Sequence, residues 1–346
     1  MKSKSAAWLY VLLVIFAASS MIYYISGVLA LREEFFHASR YAREPFDFGD
    51  DGQTLRDLSK EATGAGLSNG NVLVEVDGVP FTGYAQIHDL LRRTKPGQTM
   101  EVSVRSPSGP MRTVQIRVAA REAPDFSLGG YIAFLTPILV VPLLGLVIGY
   151  WIVAARPRDL NAWPALFLLS FPATAYGNLD WKFWPAPWYL LLGLWNTVVQ
   201  IFVFPALLWF GFLFPERWRV DRRFPWFKYA VLAATCLTYF LELRFAMGQF
   251  FSVQAMHSLL ALQVWTDRVV SGLDAICILL FLVALFDKLR SASTADARRR
   301  LRVLAIGSGL SLGPLLIIFS VVPLFGADHT TETGSPSLSH SLHFFR

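Results

Sequence analysis

Seven stretches of this chain are apolar for long enough to cross about 30 Å of hydrocarbon, and that length limits what they can fold into. In lipid every backbone N–H and C=O must be paired within the protein, so isolated runs of this kind are predicted helices. They cover about residues 6–31, 128–155, 160–176, 188–214, 227–243, 269–286 and 303–325. Long apolar helices on both sides of a more polar stretch at 32–127 predict a polytopic membrane protein with one inserted domain.

Composition agrees: 54% of residues are hydrophobic and only 16% are charged. The net charge of +6 does not point to nucleic acid, because the basic residues sit beside the apolar runs and none interleave with aromatics on a polar stretch. Lys2, Lys4, Arg156, Arg158, Arg217, Arg219, Arg222, Arg223, Lys228 and the basic group at 288–302 fall on one side, whereas Lys182, Arg244 and Arg268 fall on the other. The positive-inside rule then predicts the N-terminus and the basic loops inside and residues 32–127 outside. Residues 1–31 read as an uncleaved signal-anchor, 128–325 as a six-span bundle, and the polar tail 326–346 as disordered. In the first run, Ser19, Ser20 and Gly27 are small enough for close helix contact. Cys236 and Cys277 both lie in apolar runs, outside any Cys or His cluster, and read as small buried hydrophobes.

Within 32–127 the period changes. Residues 32–51 are charged and read as a linker leading into a first strand. Residues 71–77 alternate as a half-buried strand does, and Asp77-Gly78 marks a tight turn. Tyr84, Ile87 and Leu91 then share one helical face until Lys95-Pro96-Gly97 stops the helix. Met100, Val102 and Val104 alternate in the next run and Val114, Ile116 and Val118 in the one after, with a Ser/Pro/Gly connection at 106–110. The region has no cysteine and must rely on its own core.

This strand–helix–strand–strand order, preceded by Gly66-Leu67 and Gly70-Asn71, resembles a bacterial PDZ domain, whose pattern reads G-L-x-x-G-D, a strand ending in D-G or N-G, a helix, then K-P-G. Asn71 stands where that family usually has Asp. The resemblance implies a fold that is a multi-pass α-helical membrane bundle with an inserted small α/β PDZ-like domain over about 45–120. It also implies a peptide or protein ligand added to the sheet edge. Gln86, Leu90 and Arg93 then face the groove, with Phe48 and Gly49 in the carboxylate loop. Asp47, Asp50 and Asp51 in that loop oppose a carboxylate ligand.

One span, an extracytoplasmic PDZ-like domain and a helical bundle resemble the input half of bacterial sensor histidine kinases and of metal-dependent serine/threonine phosphatases with membrane sensors. Phe214-Pro215-Glu216-Arg217 is similar to their F-P-E-R element, and Arg298-Arg299-Arg300-Leu301 to their basic entry into a Gly/Pro-bearing helix. Those proteins continue through a further span into a cytoplasmic effector domain. The expectation here is a truncated relative, or a sensor that pairs with a separate kinase or phosphatase.

No catalytic or metal set is expected: no His is followed by Glu as a zinc protease motif requires, and Ile306 replaces the glycine of a G-x-S-G motif at Ser308-Gly309. No cofactor is expected either. Gly307, Gly309 and Gly313 read as a helix-packing face. The intramembrane polar candidates are Asp274, together with Glu242 and Arg244 at the outer end of the preceding run, and Asn196. A polar ligand or proton site and a structural polar contact are both open for Asp274, and packing glue is the reading for Asn196. Residues 250–265 read as an amphipathic segment in the outer interface. The sequence thus predicts a non-enzymatic sensor embedded in the lipid bilayer. The alternatives are a tethered adaptor that recruits envelope proteins without signalling, and a transporter using Asp274.

Overall fold

The computed structural model describes residues 4–49, 51–106, 109–124, 126–178, 183–292 and 294–325. Five of its helices are long and apolar enough to cross a membrane, and a small sheet-bearing domain is inserted after the first.

Helix α1 (Lys4–Phe36) runs past the apolar stretch into charged residues, so part of the expected linker is helical. Beyond it the chain enters the sheet domain: β1 (Asp47–Phe48), β2 (Leu55–Arg56), α2 (Lys60–Gly64), β3 (Val72–Val76), β4 (Val79–Pro80), α3 (Tyr84–Arg93), β5 (Thr99–Arg105) and β6 (Met111–Arg117). Strand order is β4-β3-β5-β6, all antiparallel, with β1 and β2 forming a separate hairpin beside the start of β3. The β3–β4 turn needs positive φ at both central residues, and Asp77 (49°) and Gly78 (73°) supply it. The Asp77 carboxylate also accepts the Glu101 N–H at 2.8 Å. Alternation sorts the faces as expected: Leu73, Val76, Met100, Val102, Val104, Ile116 and Val118 are buried together. Ile87 and Leu91 of α3 close over them.

The exit mirrors the entry. Ala42 bridges to Ala120, Arg121 pairs with Glu34 at 3.0 Å, and Tyr41 donates to Glu33 at 3.0 Å. These contacts tie the two chain crossings to the foot of α1.

Helices α4 (Leu128–Leu135) and α5 (Val141–Ala155) are joined by one π turn, Thr136–Val140, where Pro137 and Pro142 remove backbone donors. Helix α6 (Ala162–Ser170) is short and continues as a 3-10 stretch, Phe171–Asn178, opened by Pro172. The run predicted at 160–176 is therefore not one long α-helix. Helix α7 (Ala186–Leu213) leads to α8 (Arg219–Arg223), then α9 (Phe227–Phe251), α10 (Val253–His257), α11 (Leu260–Ser291) and α12 (Ala295–Phe325). Both α9 and α11 extend well beyond the runs expected at 227–243 and 269–286.

Close packing in the bundle comes from glycines that the sequence did not single out. A Cβ on Gly145 would collide with the Leu169 carbonyl, one on Gly149 would lie 2.9 Å from Leu166, and one on Gly211 2.6 Å from Phe281. By contrast a Cβ on Gly307, Gly309 or Gly313 meets nothing within 4 Å, so among the described residues that face has no packing partner. The outward side of α12, with Val303, Ile306, Leu310 and Ile317, is exposed. Cys277 is buried, but Cys236 faces outward from α9, which corrects the expectation for it. Asn196 accepts from Tyr23 at 3.3 Å, and Ser20 meets Tyr150 at 2.5 Å, so α1 is held to α7 and α5 by polar contacts.

At the end remote from the sheet domain, the last carbonyls of α7 have no helical partners. Lys288 of α11 reaches across and donates to the carbonyls of Gly211 (2.7 Å), Phe212 (3.1 Å) and Phe214 (2.8 Å). A cation at a helix C-terminus also meets the negative end of its dipole. Beside it Asp221, fully buried, is paired with Arg217 and with Lys228 at 2.9 Å, while Trp218 donates to Asp287 at 2.8 Å. This lock joins α7, α8, α9 and α11 through the Phe214–Arg217 step. Lys288→Met is expected to take this donor from the Gly211 and Phe214 carbonyls, with Phe212 keeping the Trp218 N–H, and to lower stability by about 3 kcal/mol. Thermal unfolding in detergent checks it, with Arg290→Met, an exposed neighbour, within about 0.5 kcal/mol of the parent.

Candidate functional site

The sheet domain does not finish its own core. Phe245 of α9 and Val253 and Met256 of α10 belong to the same buried cluster as Leu73, Val102 and Ile116. Residues 250–257, expected to lie flat in the outer interface, are instead a hook that inserts against the domain. Their apolar side chains fill space that so small a domain leaves open, which corrects the earlier reading. The Val253 N–H donates to the Thr82 carbonyl at 2.8 Å, and His257 Nε2 lies 2.9 Å from the Asp51 carbonyl.

Gly83 is the closest approach. Its φ of 167° is ordinary extended backbone, but a Cβ there would sit 2.7 Å from the Phe250 carbonyl oxygen. Around this point an aromatic cluster forms: Tyr189 stacks on Phe250 at 4.7 Å, and His88 lies 5.7 Å from Tyr189 and 6.3 Å from Phe250. Helix α3 is thus shared, with Ile87 and Leu91 in the domain core and His88, also buried, towards α7 and α9. Tyr84 donates to Glu44 at 2.7 Å, and burial first, then the Glu44 charge, push its phenol well above the usual range.

The residues predicted to read a peptide lie on the other side of α3 and on β1. Gln86 accepts the Thr82 N–H at 3.0 Å, capping the start of its own helix. Leu90 is half-buried against the core and Arg93 is exposed. Phe48 stacks on Phe81 at 5.3 Å and meets Tyr84 edge-on at 6.1 Å. Gly49 donates to the Thr54 carbonyl, so it is engaged within the β1–β2 hairpin. In this register the Phe48 N–H points away from β2, and it is taken by the Asp47 carboxylate at 2.8 Å. That arrangement shields a free sheet edge.

Arg56, which sequence reasoning passed over, supplies the cation of this loop. A Cβ on Gly49 would lie 3.0 Å from Arg56 Nε, so the guanidinium lies directly against the Gly49 backbone. The register signal was present, since β1 pairs Asp47 with Arg56, but only the fold reveals it. The acidic opposition expected from Asp51 is weaker than its charge suggests, because the carboxylate is turned into the loop, accepting from the Thr54 hydroxyl and from the N–H groups of Thr54 (2.8 Å) and Gln53 (3.1 Å). Partial burial pulls its pKa up, yet these bonds outweigh it and the net shift is downward. Asp50 lies outside the described residues.

Behind the hook, α9 and α11 enclose a cleft of about 200 Å³. It brings Glu242 and Arg244 together with Gln249, Gln263, Thr266 and Asp267, over apolar walls of Leu241, Phe245, Leu259 and Leu262. Asp274 is not in this cleft. It is buried farther along α11, on the face that also carries Thr266, Ser271 and Cys277. Glu242 and Arg244 thus line one cleft, Asp274 is not among its lining residues, and Asn196 lies elsewhere, on α7 against α1.

No protein-family model, no curated protein and no solved structure matches this chain. Among the described residues no group of three or more His, Cys, Asp or Glu is arranged to hold a metal ion.

Two substitutions test the junction. Met256→Ala empties a fully buried site shared by both parts and is expected to cost about 2–5 kcal/mol, read as a lower unfolding midpoint. Gly83→Ala is expected to loosen the hook where it passes at the Phe250 carbonyl, with Val253 and Met256 still in the domain core. Limited proteolysis then gains cleavage at 248–259, with the circular dichroism spectrum unchanged.

Proposed function

We propose that this protein is a non-enzymatic membrane sensor whose sheet domain, PDZ-like and extracytoplasmic, binds a peptide or protein and passes the event into the helical bundle. The observation that carries this reading is the shared core. A domain completed by Phe245, Val253 and Met256 cannot change its packing without also changing the ends of α9 and α11. A ligand that binds better to one arrangement of the hook shifts the bundle by that difference in affinity. The peptide would lie along β1 and the groove face of α3, contacting Phe48, Gly49, Gln86, Leu90 and Arg93, with Arg56 drawing a C-terminal carboxylate. To add a strand it would displace the Asp47 carboxylate from the Phe48 N–H.

Orientation follows from charge. The sheet domain meets the bundle at one end of α9, and the Asp221–Lys228–Lys288 lock and the basic loops lie at the other. The positive-inside rule places the lock in the cytoplasm of a bacterial inner membrane and the domain outside, with α12 counted among about seven spans. At the lock, a kinase or phosphatase partner would read the change.

The test uses the full chain in lipid nanodiscs and a pool of synthetic peptides with free C-terminal carboxylates. Bound peptides are expected to lose at least about tenfold in affinity on C-terminal amidation, and to the same degree with Arg56→Glu. Hydrogen exchange at residues 211–223 and 285–291 is expected to change on peptide addition, and Gly83→Ala to keep binding while abolishing that change. Binding without any change in exchange would establish the adaptor reading instead. The buried Asp274 favours one further alternative, transport, in which Asp274→Asn stops solute flux and deletion of 60–119 spares it.

A further inference from the structure

The hook does more than close the apolar core, because its far end rests on residues 49–54, the loop between β1 and β2. We propose that His257 is the positioning residue through which the bundle sets the shape of that loop, so that the bundle's own arrangement tunes ligand affinity. The inference rests on the reading of this loop as the part that meets the ligand's carboxylate.

The flanking strands cannot hold the loop by themselves. Strands β1 and β2 have two residues each, and a hairpin so short is marginal in water. Asp51 supplies what they lack. Its carboxylate accepts from the Thr54 hydroxyl and from the N–H groups of Thr54 (2.8 Å) and Gln53 (3.1 Å). The Thr54 carbonyl in turn accepts the Gly49 N–H at 2.6 Å. Gly52, at a φ of 67°, allows the turn between them. A shift of the Asp51 backbone is therefore passed to Gly49.

Asp51 is itself gripped from the bundle. His257 Nε2 lies 2.9 Å from the Asp51 carbonyl oxygen, and a carbonyl only accepts, so the imidazole donates there. Met256 and Gln249 press on the next residue, since a Cβ on Gly52 would sit 3.0 Å from Met256 Cε and 3.7 Å from Gln249 Cγ. Three hydrogen bonds thus run in series from α10 to Gly49, through Asp51 and Thr54, and the Arg56 guanidinium lies at their far end. Of the gripping residues, Met256 is buried and any loss there opens the core, whereas His257 is exposed and can be changed without a cavity. Coupling between two sites is reciprocal. A bundle arrangement that withdraws α10 releases Asp51 and weakens the ligand, and a ligand that needs the loop in this shape holds α10 in place.

The experiment is hydrogen exchange of the full chain in lipid nanodiscs, first without ligand. His257→Ala is expected to speed exchange in the 49–56 segment about fivefold, the effect of losing one ordinary hydrogen bond, with the unfolding midpoint unchanged. His257→Gln, whose side-chain amide donates from a similar position, is expected to keep the parent rate. Peptides that bind the parent are expected to lose about fivefold in affinity with His257→Ala and to recover it with His257→Gln. Unchanged exchange in His257→Ala, or equally fast exchange in His257→Gln, would overturn the proposal, as would unchanged peptide affinity beside faster exchange. If no peptide binds the parent while the exchange result holds, the grip of His257 on the loop stands and the peptide reading falls.

Discussion

The sheet domain of this molecule depends on a few apolar side chains lent by the bundle. A four-stranded sheet with one ten-residue helix buries little surface for its length, and domains of that size are marginal on their own. Met256 and Val253 make good the deficit from a five-residue helix that has no stability of its own. The dependence is mutual. The domain gains a closed core, and the hook gains the contacts that hold it in place. Such a shared core differs from a tether, since a tether leaves domain and bundle free to move independently.

At the opposite end the problem is polar. Helix α7 ends with carbonyls that its own helical ladder cannot satisfy, and α8 carries a carboxylate, Asp221, fully out of water. One lysine on α11 answers the first, and a lysine and an arginine answer the second. Buried pairs of this kind add little net stability, yet breaking one is costly because the remaining charge stays buried. They act chiefly as a register. Helices α9 and α11 are therefore fixed at both ends by different physics: by apolar volume at the sheet domain and by hydrogen-bond geometry at the lock.

The parts of this arrangement that were legible in the sequence are those in which a residue's neighbours in space are also its neighbours along the chain. Alternation in 100–104 and 114–118 named the buried faces, Asp77-Gly78 named its turn, and Pro96-Gly97 the end of α3. Long apolar runs named five helices. The failures share one cause. Phe250, Val253 and Met256 look like an interfacial stripe because their partners are some 150 residues earlier. Arg56 looks like a surface charge until the hairpin lays it on Gly49. Gly307, Gly309 and Gly313 look like a packing face, whereas the glycines that pack, Gly145, Gly149 and Gly211, have the same local signature. Composition reports that a small residue permits contact, not which helix arrives. Lys288 was counted for topology alone, and its reach across to α7 has no local pattern.

Two differently anchored ends set how the proposed signal can travel. An apolar contact tolerates small slides at little cost, because it is non-directional. A cation bonded to three carbonyls at 2.7–3.1 Å does not, because hydrogen bonds weaken steeply as angle and distance drift. A displacement admitted at the hook is therefore resisted at the lock until one arrangement gives way to another. That asymmetry turns a graded push from the sheet domain into a switch between two discrete packings. The energy available is the ligand's differential affinity alone, about 1.4 kcal/mol for each tenfold preference. Hydrogen bonds to a charged group are worth about 1.5–3 kcal/mol each, so a preference of a few hundredfold matches the loss of one or two of the three.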